Sequence, residues 1–166
     1  MRRILGIDPG SRYTGYGVIE SDGQNSRHVA SGRICIADKA FSDRLGEIFD
    51  GVSEIIRDYA PVEAVVEEVF MAKNASSALK LGQARGAAIT AIVHAGLPVS
   101  EYTPRLVKQA IVGSGGADKR QVGHMVRVLL GIDRPLSEDQ SDALAVALCH
   151  AHMAETASRL TKGAAW

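Results

Sequence analysis

The chain has 166 residues, 46% hydrophobic and 23% charged, with 19 basic and 19 acidic side chains and no formal net charge. That length predicts a single domain with a full hydrophobic core, here taken as residues 1–160 with a short tail, 161–166, that follows no recognisable element. No run is long and apolar enough to read as a membrane span or a secretory leader, and Cys35 and Cys149 form neither a CxxC pair nor a disulfide framework, so no membrane partner and a cytoplasmic location are expected.

Neutrality conceals an uneven distribution. Residues 71–130 carry eight basic groups (Lys73, Lys80, Arg85, Arg105, Lys108, Lys119, Arg120 and Arg127) against two acids, Glu101 and Asp118. The rest of the chain holds 11 basic and 17 acidic residues. A basic middle between acidic ends suits a polyanionic partner, although scattered solvated lysines and arginines would read the same way.

The first element is Arg3-Ile4-Leu5-Gly6-Ile7-Asp8, an apolar run that predicts a strand buried on both faces. Pro9-Gly10 ends it in a turn and leaves Asp8 at the lip of a sheet. Thr14–Glu20 predicts a second strand, Asp22-Gly23 a hairpin turn, and His28–Ile36 a third strand, so the chain opens as an antiparallel meander. Leu45, Ile48, Phe49, Val52, Ile55, Ile56 and Tyr59 recur at spacings of three and four, which predicts a helix with Ser42 as its N-cap and Pro61 as its stop.

Val62–Phe70 then predicts a strand that a helical crossover lays parallel to an earlier one. If that neighbour is the first strand, Asp8 sits beside the Glu67-Glu68 pair. Alternation along a strand lets one of the two glutamates join Asp8, and the pattern does not distinguish them. Residues 76–95 predict an alanine-rich helix whose Gly82 and Gly86 share a face, for tight packing on the sheet or for contact with a second copy. A last strand over Pro98–Thr103 follows, then basic helical pieces over Arg105–Val112 and Lys119–Leu130. The Gly113–Ala117 stretch between them reads as a flexible link and lacks the Gly-Lys-Ser/Thr of a P-loop.

The final helix is predicted from about Ser137 to Glu155. Asp139 and Asp142 begin a stripe that continues through Val146, Cys149 and Met153. Acids on a core-facing seam are costly unless paired or metal-bound. Asp139 alone could serve the helix dipole; Asp142, one turn in, serves it less. The candidate carboxylates are therefore Asp8, one of Glu67 and Glu68, Asp139 and Asp142. An all-oxygen set suits Mg²⁺ or Mn²⁺ rather than zinc, and such clusters hold paired ions for in-line attack on phosphodiesters. The five histidines have no metal-ligand spacing and read as surface or satisfied core residues.

The segments Leu5–Arg12, Thr14–Val18, Glu67–Asn74, Ser77–Gly86 and Asp139–Ala145, in this order and spacing, resemble those of the RuvC family of bacterial Holliday junction resolvases over almost the whole chain. The resemblance implies an α/β, ribonuclease H-like fold, a five-stranded mixed sheet flanked by helices. It implies a homodimer that places symmetric nicks in four-way junction DNA, with RuvA and RuvB as branch-migration partners and no nucleotide cofactor. The family's catalytic, metal-binding acids fall on Asp8, Glu67, Asp139 and Asp142, which selects Glu67 over Glu68; two Mg²⁺ ions per site are expected. The family's basic residues near DNA fall on Lys108 and Lys119, its aromatic beside the junction centre on Phe70, and its dimer helix on residues 76–95. Lys73, Lys80, Arg85 and Arg120 complete the DNA-binding set expected of the basic middle.

Two other readings compete. The opening strand, Asp8 and hairpin also resemble the ATP-binding lobes of the sugar kinase, actin and chaperone superfamily, but those need two related lobes and a second Asp-x-Gly motif, which this sequence lacks. A non-enzymatic junction-binding scaffold would bind DNA without metal-dependent cleavage; four intact acids argue against it.

Overall fold

The computed structural model describes residues 1–68 and 74–163. Its strands are β1 (Arg2–Asp8), β2 (Tyr13–Ser21), β3 (Ser26–Cys35), β4 (Glu63–Glu67) and β5 (Val99–Tyr102). The helices are α1 (Phe41–Tyr59), α2 (Ala75–His94), α3 (Pro104–Val112), α4 (Lys119–Leu130) and α5 (Glu138–Gly163). The strands form one mixed sheet in the order β3-β2-β1-β4-β5. The opening meander is antiparallel, while β4 runs parallel to both β1 and β5.

Alternation along β1 assigns its side chains to two cores. Leu5 and Ile7 pack with Ile48, Val52 and Ile92 of α1 and α2. Ile4 packs on the other face with Val107, Val126, Leu144 and Leu148 of α3, α4 and α5. Leu144 and Leu148 are fully buried, and each contributes about 1.5–3 kcal/mol of hydrophobic stabilisation. Burial of α5 on almost every side explains why its sequence is apolar nearly all round. Among the described residues no helix is long and apolar enough to cross a membrane.

Several local expectations are corrected. Helix α1 starts before Ser42, with Ala40 in the cap position and no side-chain cap. Arg44 reaches back to the carbonyls of Lys39 and Ala37 and ties down the entry instead. The Gly113–Ala117 link is a folded turn: Gly113 ends α3 in the left-handed region (φ 80°), Ala117 N–H donates to the Ser114 carbonyl, and Ala117 is buried. Asp118 and Gln121 then form a reciprocal capping box that starts α4. The described part of the fourth strand ends at Glu67, and α5 continues past Glu155 to Gly163, so the first half of the expected tail is helical.

Candidate active site

Asp8 is the last residue of β1, and its Cα partner in β2 is Gly15. The parallel pairing of Ile7 with Val66 brings the end of β4, and with it Glu67, beside Asp8. Helix α5 crosses this strand end. A Cβ on Gly15 would stand 2.2 Å from the Asp139 carbonyl oxygen, and a Cβ on Gly6 2.1 Å from that of Ala143. Two missing side chains thus allow the helix backbone to lie directly on β1 and β2. The first turn is fixed by Ser137, whose Oγ accepts from Gln140 N–H at 3.3 Å while its own N–H donates to Gln140 Oε1 at 3.1 Å. Asp139 and Asp142 are held one turn apart over the two strand-end acids.

The electrostatics reflect this crowding. The Asp8 carboxyl is pushed up to about 8, first by burial and then by the charges of Asp142, Glu67 and Asp139. Glu67 is pushed up to about 7 by burial and by Asp142, with Lys119 and Lys108 opposing. Asp142 is also raised by burial, against the pull of Lys119, whose Nζ donates to it at 3.2 Å. Lys119 also pairs with Glu138. Asp139 faces Arg33 at 3.8 Å, and Arg33 lies over the Tyr13 ring, 4.3 Å from its centroid. Among the described residues no three acids, cysteines or histidines stand close enough together, as placed, to hold a metal ion. Asp8, Glu67, Asp139 and Asp142 nevertheless make an all-oxygen donor set whose chemistry fits a hard divalent cation, which keeps part of its water shell.

The expected DNA-binding residues separate into groups. Lys108 and Lys119 line a cleft of about 210 Å³ with Glu67 and Asp142. Arg120 lies in an adjoining cleft with Lys119, His124 and Asp142. Lys80 is placed elsewhere, in a cleft next to the β1–β2 turn. Arg85 pairs with Glu101 at 2.5 Å and does not meet the acids. Phe70 and Lys73 lie outside the described residues. Two participants escaped the sequence reading. Glu138 has no pattern of its own, whereas Arg33 is the β3 partner of Gly15 and becomes visible once strand register is known.

The RuvC family model, described as crossover junction endodeoxyribonuclease RuvC, matches residues 4–150. The crossover junction endodeoxyribonuclease RuvC of Alkalilimnicola ehrlichii is 57% identical over 99% of this chain and 100% of its own length. The solved structure of T. thermophilus RuvC in complex with Holliday junction substrate is 35% identical, with a TM-score of 0.89 over 95% of this chain and 98% of that one. The yeast mitochondrial resolvase Ydc2, at 10% identity and a TM-score of 0.68 over 95% of this chain and 82% of its own, shares the fold. With its ribonuclease H-like sheet and its strand-end acids, the chain belongs to the RuvC family of crossover junction endodeoxyribonucleases.

Proposed function

We propose that this protein is a Mg²⁺-dependent endonuclease that resolves Holliday junctions, as a homodimer, by paired symmetric nicks leaving 5′-phosphate and 3′-hydroxyl ends. The observation that carries the reading is that Asp8, Glu67, Asp139 and Asp142 lie together at the C-terminal ends of two interior strands, faced by Lys119 and Lys108. These four acids would hold Mg²⁺ (or Mn²⁺), two ions per site, which would supply acidification of a water and a counter-charge for the leaving oxygen.

The chain's own residues do the rest. Burial of Asp8 and Glu67 keeps bulk water from screening the charges that meet the phosphate. Lys119 and Lys108 orient the phosphodiester from the α3–α4 side of the cleft. Cys149, the buried thiol of α5, is pushed up to about 12 by burial and by Glu67, so it offers no thiolate nucleophile, in keeping with attack by water. RuvA and RuvB as partners, a cytoplasmic location and a single domain over residues 1–160 complete the proposal.

The test is a synthetic four-way DNA junction incubated with the purified protein in Mg²⁺ and in EDTA, with the cuts mapped. Symmetric nicks that vanish with EDTA and are absent from linear duplex support the resolvase. Binding without nicks under every metal would make it a scaffold.

A further inference from the structure

A second cleft, of about 570 Å³, opens on the other side of the sheet edge from the acids and takes no part in the chemistry above. Its walls include Ser11, Arg12, Arg44, Ser77 and Lys80, with no acidic side chain among the described residues that line it. The cleft begins at Pro9, one residue after Asp8. Asp8 lies on the α5 face of β1 with Ile4 and Gly6, while Arg44 and Lys80 come from α1 and α2, which cover the face of Leu5 and Ile7. The β1–β2 turn therefore separates two cationic tracks on opposite faces of one strand end.

The charge in this cleft is uncompensated. Arg44 spends its donors on neutral carbonyls: Nε on Lys39 at 2.8 Å, Nη2 on Ala37 at 2.9 Å and Nη1 towards Ser11 at 3.5 Å. These bonds hold the guanidinium still without cancelling it. Arg12 and Lys80 are exposed and belong to no ion pair among the described residues. A tethered cation, two exposed ones, two hydroxyls and an open shape suit a run of phosphodiesters better than a single enclosed anion.

We propose that this cleft is a second phosphate-binding track, in which Arg12, Lys80 and the preorganised Arg44 grip the DNA backbone beyond the phosphate being cut. The inference rests on the reading of the chain as a nuclease for branched DNA. Engaging both tracks takes the nucleic acid around the end of the sheet. A straight duplex, stiff over about 150 base pairs, resists that path, whereas a branch point supplies the change of direction. The groove thus contributes to the preference for a junction over linear DNA.

The experiment uses the full-length Asp8→Asn protein in EDTA, which holds DNA uncut, and measures anisotropy of a labelled four-way junction across a KCl series. Arg12→Gln and Lys80→Gln are each expected to weaken binding roughly three- to tenfold and to lower the salt slope by about 0.9, their double variant by twice that. Arg57→Gln, on the last turn of α1 and paired with Glu54 and Asp58, is the charge-matched control and is expected to change neither. A linear duplex of the same sequence is expected to respond less than the junction. Parent-like slopes in both Gln variants would overturn the groove while leaving the nuclease intact. Failure of the Asp8→Asn protein itself to bind the junction would overturn the nuclease reading and the groove with it.

Discussion

The Lys119 ammonium donates to the Asp142 carboxylate at 3.2 Å, across the gap between the start of α4 and the first turns of α5. It brings a positive charge to the group of acids around Asp8. Burial lowers the proton affinity of Lys119, but Glu138 and Asp142 more than reverse this and leave it raised, so it stays charged throughout the working pH range. The capping box of Asp118 with Gln121 starts the helix at this residue and aims its side chain. A turn motif far from β1 in sequence thereby contributes to the electrostatics of Asp8.

Replacing Lys119 with alanine is expected to slow cleavage and to weaken junction binding, with the salt slope reduced by about 0.9, one phosphate contact. An unchanged slope in a fluorescence titration would remove Lys119 from the phosphate contacts and leave it a partner of Asp142 alone.

Asp8→Asn is expected to abolish cleavage while junction affinity stays within about threefold of wild type, because phosphate contacts dominate affinity. Cleavage at the wild-type rate in Mg²⁺ would remove Asp8 from the metal-binding set. The residue is well suited to this separation of functions, since its amide analogue keeps the shape of the strand end and cannot supply an anionic ligand.

The raised carboxyls give the metal-free protein a definite pH response. Asp8 moves from an ordinary 3.8 to about 8 in the fold, and Glu67 from 4.5 to about 7. Because the folded values lie above the unfolded ones, their contribution to stability is fully present below about pH 4. It is lost as pH rises to 7 and 8, with a slope of at most about 1.4 kcal/mol per pH unit for each group. Thermal melts in EDTA are expected to show a lower Tm at pH 8 than at pH 5, a smaller drop in Asp8→Asn, and recovery on adding Mg²⁺. A flat profile in EDTA would mean that neither burial nor repulsion between the acids raises these carboxyls in the folded state.

Gly15→Ala is expected to damage the site more than its single methyl suggests. The new Cβ would sit 2.2 Å from the Asp139 carbonyl oxygen and 2.6 Å from its carbon, backbone atoms that move only if the start of α5 moves. Overpacking of this kind costs about 1–3 kcal/mol. The displaced helix carries Asp139 and Asp142, so cleavage is expected to fall at least tenfold at temperatures where the variant is still folded. Urea denaturation beside a cleavage assay separates the two effects; equal rates in both proteins would show that α5 has room to yield.

These glycines also mark where the sequence stopped being legible. The strands and the amphipathic α1 could be read because each follows from a local period, while the set of four acids came from the resemblance. The strand-end meeting of Asp8 and Glu67 followed from one crossover. Gly6, Gly15 and Gly17 read as ordinary strand residues, since nothing local tells that a helix from residue 138 onward will press on them. Arg33 was silent for the same reason: its link to Asp139 passes through the β2–β3 register and the packing of α5, both long-range. The cap of α1 was misplaced because a tether from Arg44, rather than Ser42, fixes the entry.

Helix α2 carries an exposed lane of Leu79, Gly82, Gly86 and Val93, and among the described residues a Cβ on either glycine would meet nothing within 4 Å. Within one protomer these glycines have no packing reason to be small, and each costs helix stability of about 1 kcal/mol against alanine. Close approach of a second copy would supply the reason, as the homodimer proposed above requires. Gly86→Leu is therefore expected to leave the protomer folded, with a Tm at least equal to wild type at low concentration, while raising the dimer dissociation constant tenfold or more in sedimentation analysis. Paired nicking should fall with it, because the second cut needs the second site. A variant that still dimerises with wild-type affinity would place the interface on another face of the molecule and return Gly82 and Gly86 to simple surface positions.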